Sequence, residues 1–236
     1  MTDTISQPRS FPRPQPGQPV VAAFDFDGTL TEGGSVWKFL VSLRGRPKVV
    51  IAGLLELPKV VRAAFVGGTA NDVAKEALFR RILPGMHETT LATQAADFGR
   101  AHYRRRVRDD ISGRLRWHLS QGHRVVIVSA SPELYILPVA DDLGASAVIA
   151  TRLQVDPAGE LTGRFDGPNC RGQEKARRLR EWIVGENSDP FVWAYGNSAG
   201  DLQMLTDADI GVNVGRLGRL GKLKGFPNFA DATRTR

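Results

Sequence analysis

The sequence predicts an α/β fold, a parallel sheet with helices on both faces and an all-helical segment inserted after the first strand. Three observations lead there. Short apolar runs at Val20–Phe24, Arg124–Val128 and Phe191–Tyr195 read as buried strands, each followed by acidic, hydroxyl or glycine residues. About ninety residues between the first two runs, 33–122, read as helix with no strand signal. From Arg124 onward strand and helix signals alternate, the pattern of units that build a parallel sheet.

The chain has 236 residues, enough for one large domain or a core with an insert. Its net charge of +7 and pI near 10.0 point to anionic partners: substrates, membrane surfaces or nucleic acid. One cysteine, Cys170, allows no internal disulfide, so a cytoplasmic location is expected. No charged start followed by an apolar run suggests a secretory signal. Residues 1–19 carry Pro8, Pro12, Pro14, Pro16 and Pro19 among polar residues and read as a flexible tail.

The first strand stops at Asp25-Phe26-Asp27-Gly28-Thr29, two carboxylates one residue apart. In open α/β sheets ligands bind beyond the carboxyl ends of the strands. A bend at Asp27 lets one side chain and one backbone carbonyl face a common point. Asp-Gly after an apolar run is also a hairpin signal. A helical pattern from Val36 follows, however, and no returning strand.

Helices are expected over Ser35–Leu43, Lys48–Val66, Asn71–Ile82, His87–Arg105 and Asp109–Gln121. The second is apolar over most of its circumference, with Glu56, Lys59 and Arg62 as a narrow polar stripe and Pro58 expected to kink it. Arg44, Arg46 and Lys48 stand before it. It is too interrupted by charge for a membrane span. It fits either a central helix of a bundle, the preferred reading, or an interfacial helix in peripheral contact with an anionic membrane.

The second strand ends at Ser129-Ala130-Ser131-Pro132, where a helix start offers free amides to an anion. Ser131 is expected to cap that helix. Ala147–Ile149 reads as a third strand, and Leu153–Val155 with Leu161–Phe165 as a hairpin across Asp156-Pro157-Ala158-Gly159. Lys175 sits at a helix start, where the dipole disfavours a cation. The fourth strand runs into Gly196-Asn197-Ser198-Ala199-Gly200-Asp201, and Ile210–Val212 supplies a last one. The clusters Arg104–Arg106 with Arg108, and Arg177-Arg178 with Arg180, read as solvated faces or helix ends. Arg216, Arg219, Lys222 and Lys224 lack the interleaved aromatics suited to base stacking, and no nucleic-acid partner is expected.

Asp-Phe-Asp-Gly-Thr-Leu-Thr at 25–31 resembles the first signature of the haloacid dehalogenase superfamily, and the later motifs follow the order of its phosphoserine-phosphatase-like subclass. The resemblance implies a Rossmann-like core from residues 20–32 and 123–214, a helical cap over 33–122 and a basic tail over 215–236. It implies a magnesium-dependent phosphomonoesterase acting on a small phosphate, and the basic and apolar segment from Arg44 to Val66 adds a lipid-linked phosphate as a second substrate class. Asp25 would be the nucleophile and Asp27 the proton donor, with Ser129, Ala130 and Lys175 binding phosphate. Asp25, Asp27, Asn197 and Asp201 would hold Mg²⁺. Asn197 stands where the family pattern has an Asp, so one charge is missing from that set. A phosphotransferase or phosphomutase, or a non-catalytic phosphate-binding protein, remains open on the same residues.

Overall fold

In a sheet covered on both faces, a parallel strand is an unbroken apolar run rather than an alternating one, and β1 (Val20–Phe24) is buried along its whole length. The computed structural model describes residues 11–66, 70–186, 189–215 and 223–233. Around β1 it places β2 (Arg124–Pro132), β3 (Ala147–Thr151), β6 (Phe191–Gly196) and β7 (Ile210–Asn213), all parallel, in the order β3-β2-β1-β6-β7. Phe24 lies level with Ile127 on one side and Tyr195 on the other. The carboxyl ends of β1, β2 and β6 therefore come out along one edge.

Strand alternation divides the core in two. Ala22, Phe24, Val125, Ile127 and Tyr195 pack with Ile111 and Leu115 of α5 (Asp109–Ser120) and Ile136 and Val139 of α6 (Glu133–Leu143). Val21, Ala23, Val126, Val128 and Ala194 pack with Ala176 and Leu179 of α7 (Gln173–Gly185) and Met204 and Leu205 of α8 (Leu202–Asp207). The expected α/β class, with helices on both faces, is what the chain adopts.

Between β1 and β2 run α1 (Val36–Arg44), α2 (Arg46–Val66), α3 (Ala70–Ile82), α4 (Glu88–Arg106) and then α5. α3 packs on α2 and on the hairpin of β4 (Leu153–Val155) and β5 (Leu161–Phe165). Gly163 makes that contact: its φ is +74°, and a Cβ there would lie 2.5 Å from the Phe79 carbonyl oxygen.

Several details differ from the sequence reading. Phe11 packs against the core and the Pro19 carbonyl accepts from the Phe191 N–H at 2.8 Å, so this part of the expected tail lies along the body. α2 continues through Pro58. Its apolar side chains are not covered as a bundle helix requires, because Ile51, Leu54, Leu55 and Leu57 are all more than half exposed. Ser131 does not cap α6. Pro132 takes that position, and the Ser131 hydroxyl bonds Asp27 instead. Near the C-terminus Leu223 is buried, and α9 (Phe229–Thr233) places Ala232 in the core. Arg216, Arg219 and Lys222 lie outside the described residues, as does the Arg62 side chain. No described helix is long and apolar enough to cross a membrane.

Candidate active site

Where β1 ends, the Asp25 N–H still donates to the Tyr195 carbonyl of β6, and the chain then turns sharply. Gly28 makes the turn with φ +83°; a Cβ there would meet the Asn197 amide at 2.2 Å. The turn returns Thr29, whose hydroxyl donates to Asp25 Oδ2 at 2.9 Å. Arg108, at the start of α5, donates to the Gly28 carbonyl at 3.1 Å and to the Val214 carbonyl at 2.7 Å, tying the turn to the end of β7.

Lys175 is the centre of charge. Carried in the first turn of α7 and buried, it donates to Asp25 Oδ1 at 2.7 Å and to Asp201 Oδ1 at 2.6 Å. Two carboxylates overcome both the helix dipole and the burial that pulls its pKa down, and raise it above the ordinary lysine value. Burial, then the Asp201 carboxylate, pushes Asp25 up to about 7, with Lys175 pulling the other way.

Asp201 is fully engaged. Oδ1 takes Lys175, and Oδ2 accepts from the Asn197 N–H at 3.1 Å, the Ser198 N–H at 3.0 Å and the Ser198 hydroxyl at 2.9 Å. This capping box holds the short 3₁₀ turn Ala199–Asp201. Asp201, expected among the metal ligands, here bonds Lys175 through one oxygen and the Asn197–Ser198 loop through the other.

Asn197 reaches the centre. With its amide nitrogen turned inward it donates to Asp25 Oδ2 and Thr29 Oγ1, each at 3.2 Å, and to the Asp27 carbonyl at 3.1 Å. Oxygen acceptors thus converge on one point, with only an amide between them. Among the described residues no group of three or more His, Cys, Asp or Glu side chains is arranged to hold a metal. The set here is one carboxylate, one carbonyl and one amide that offers its oxygen when turned over; such hard oxygen donors suit magnesium.

Asp27 is turned toward the helical insert. Its Oδ2 accepts from Ser35 at 2.7 Å and from Ser131 at 2.5 Å, and Ser35 also bonds the buried Tyr135 hydroxyl at 2.7 Å. Oδ1 is buried with no partner among the described residues. A buried unpaired carboxylate oxygen is costly, and beside a reaction centre it is an atom available to exchange a proton.

Ser129 is buried at the end of β2 and accepts from the Ser131 N–H at 3.0 Å, leaving its own O–H for another acceptor. Ala130, expected to bind phosphate, offers its carbonyl to Thr151 Oγ1 at 2.7 Å and to Lys75 Nζ at 2.6 Å. Lys75 of α3 is a residue that the sequence reading missed, since a lysine among Asp72 and Glu76 looks solvated. It also bonds Asn169 Oδ1, and Asn169 in turn donates to Asp72 at 2.6 Å. Burial lowers the Lys75 pKa to about 8, with Asp72, then Cys170 and Asp27 opposing.

The cationic clusters are solvated in part. Arg104–Arg106, Arg177 and Arg180 are exposed, whereas Arg108 is drawn in to the Gly28 and Val214 carbonyls and Arg178 to those of Ala150 and Pro168. Arg104, Arg105 and Arg106 form the last turn of α4, while Arg177 and Arg178 pair with Glu174 and Arg180 with Asp207.

Residues 22–206 match the family model described as haloacid dehalogenase-like hydrolase. The chain is 36% identical over 201 residues to Protein CicA of Caulobacter vibrioides, covering 84% of this chain and 88% of CicA. Two solved structures share the fold. A Bordetella pertussis protein of unknown function superposes with a TM-score of 0.73 at 20% identity, over 89% of this chain and 98% of its own. A phospho-aspartyl intermediate analogue of phosphoserine phosphatase does so with a TM-score of 0.59 at 18% identity, over 84% and 87%. With the family match running from β1 to α8, across every strand end that meets at Asp25, the chain belongs to the haloacid dehalogenase-like hydrolase family.

Proposed function

We propose that this hydrolase, a phosphatase of the haloacid dehalogenase type, cleaves a small or lipid-linked phosphate monoester through an aspartyl-phosphate at Asp25. The observation that supports it most is the fixing of Asp25 by Lys175 on one oxygen and Thr29 on the other. A carboxylate nucleophile needs one held orientation and a neighbouring cation to let it approach an anionic phosphorus.

Asp25 Oδ1 forms the bond to phosphorus as the ester oxygen leaves, and Asp27 gives that oxygen its proton. Water then attacks phosphorus, Asp27 takes the water's proton, and the Asp25–phosphorus bond breaks to release phosphate. One residue serves both directions of proton transfer. The serines hold Oδ2 of Asp27, so Oδ1 is the atom that exchanges the proton. Ser129 and the Ala130 amide would receive phosphate oxygens, with Lys175 offsetting their charge. Magnesium, held by Asp25, the Asp27 carbonyl and Asn197, would supply further neutralisation of the phosphate when bound.

The test is phosphate release from an aryl phosphate with and without magnesium. Turnover that a chelator quenches is expected, with none in Asp25→Asn and a loss of about 10²–10⁴ in Asp27→Asn. Wild-type rates in Asp25→Asn exclude the scheme. Binding of phosphate without any turnover would make the protein a phosphate-binding module.

A further inference from the structure

The helix α2 is turned inside out. Its single acidic residue, Glu56, points into the protein, where it is buried and pairs with Arg81 of α3 at 2.5 Å and with Lys59 at 2.7 Å. Val49 and Ala52 share that inward side. The largest apolar side chains face out: Ile51 is 56% exposed, Leu54 64%, Leu55 55% and Leu57 51%, with Val50 and Val61 beside them. At 100° per residue these positions span an arc of roughly 160°. Arg46 stands at one border of the arc, and Lys48 and Lys59 at the other, all exposed. Trp37 of α1, 44% exposed, lies alongside, close enough that a Cβ on Gly53 would be 3.7 Å from its ring.

We propose that this face of α2 is a docking surface for an anionic phospholipid bilayer. A wide apolar arc bordered by lysine and arginine, with an aromatic ring at its edge, is the form of a helix that lies in the membrane interface. Contiguous apolar exposure on this scale marks an interaction surface. Charge selects the partner: both borders of the arc are cationic and the helix's one acid is turned inward. A second copy of the chain would bring like charges together, whereas anionic headgroups neutralise them. Beside the arc, Arg44, Lys48 and Arg81 rim a cavity of about 400 Å³ floored by Ile51, Leu55 and Ile82. A lipid phosphate over an acyl chain has the same order of polar and apolar groups. α2 packs on α3 and α1, and its exposed side chains are none of the partners that hold Asp25, which are Lys175, Thr29 and Asn197. The inference stands whether or not the chain is a phosphatase.

The test is co-sedimentation of the full chain with vesicles of phosphatidylcholine alone or mixed with phosphatidylglycerol. Binding is expected only to the mixed vesicles and is lost in ~1 M salt, where the Debye length is about 3 Å. Leu54→Ser with Leu55→Ser should lower partition at least tenfold, and Arg46→Gln or Lys48→Gln about fivefold each. These side chains are exposed, so melting temperatures should match wild type and aryl phosphate turnover in solution should not change. The proposal is overturned if the wild-type chain stays in the supernatant with phosphatidylglycerol vesicles. It is equally overturned if ultracentrifugation shows a dimer that Leu54→Ser dissociates while vesicle binding is unaltered.

Discussion

Lys175 Nζ and Asp25 Oδ1 stand 2.7 Å apart, both buried, although 150 positions separate them in sequence. The contact joins the first turn of α7 to the end of β1, and through Asp201 it reaches the loop after β6. Three separate pieces of the core are thus clamped by one ammonium group.

Replacing Lys175 with Met should therefore act twice. Two buried carboxylates lose their shared counter-charge, which costs about 3–5 kcal/mol when one partner of a buried pair is removed. Turnover should also drop about 10²–10³-fold, the usual loss when one preorganised electrostatic group is deleted. Denaturant melts beside phosphate-release assays check both, and an active, fully stable Lys175→Met protein would contradict the clamp.

Gly28→Ala should abolish activity while leaving the fold intact. The new methyl would both occupy a positive-φ position and strike the Asn197 amide, pushing it from Asp25 and the Asp27 carbonyl. Circular dichroism should be unchanged, and calorimetric binding of magnesium should be weakened. Magnesium binding equal to wild type would show that Asn197 takes no part.

His118 sets an acid limit to stability. It is buried between the Tyr195 hydroxyl and His123, each at 2.8 Å, with Arg114 also on Tyr195. Burial first, then Arg114 and His123, lowers its pKa to about 2. The unfolded chain binds the proton that the folded chain refuses, so stability falls as pH drops below the unfolded value near 6.5. The slope from this group alone is up to about 1.4 kcal/mol per pH unit. His118→Gln should flatten the difference in unfolding free energy between pH 6 and pH 5; an identical slope refutes the assignment.

Lys75→Met should loosen α3 from the loops beneath it. The variant loses bonds to the Ala130 carbonyl and Asn169, worth about 1–3 kcal/mol if those acceptors stay buried and unpaired. Hydrogen exchange should quicken in α3 and around Asn169, but not in β1. A higher KM with kcat nearly kept is the expected kinetic signature. Unaltered exchange in α3 would mean that this lysine does not fasten the helix.

The sheet was legible because a parallel strand announces itself as an unbroken apolar run, and Asp25, Ser129 and Asn197 follow such runs directly. Lys175 was legible only through motif order, since the helix dipole argues against it locally. The outward face of α2 was not. Periodicity shows that a helix has an apolar side but not where its neighbours stand, and that depends on Arg81, 25 residues later, drawing Glu56 inward. Ser131 was misread because a serine before a helix satisfies the capping pattern equally well, and only folding brings Asp27, 104 residues away, within reach. Lys75 failed for a similar reason: its partners come from the end of β2 and the loop before α7, which local sequence does not connect to α3.

Ser35 immediately precedes α1, at the threshold of the inserted helices, and it is one of the two hydroxyls that aim Asp27. Whatever swings those helices outward withdraws a hydrogen-bond partner of Asp27, the proposed proton donor, in the same motion. Opening to admit substrate would leave Asp27 mis-aimed, and seating the helices again would restore it. On the proposed mechanism, such a linkage would protect a phosphorylated Asp25 from stray water while the door is ajar, with no separate latch needed.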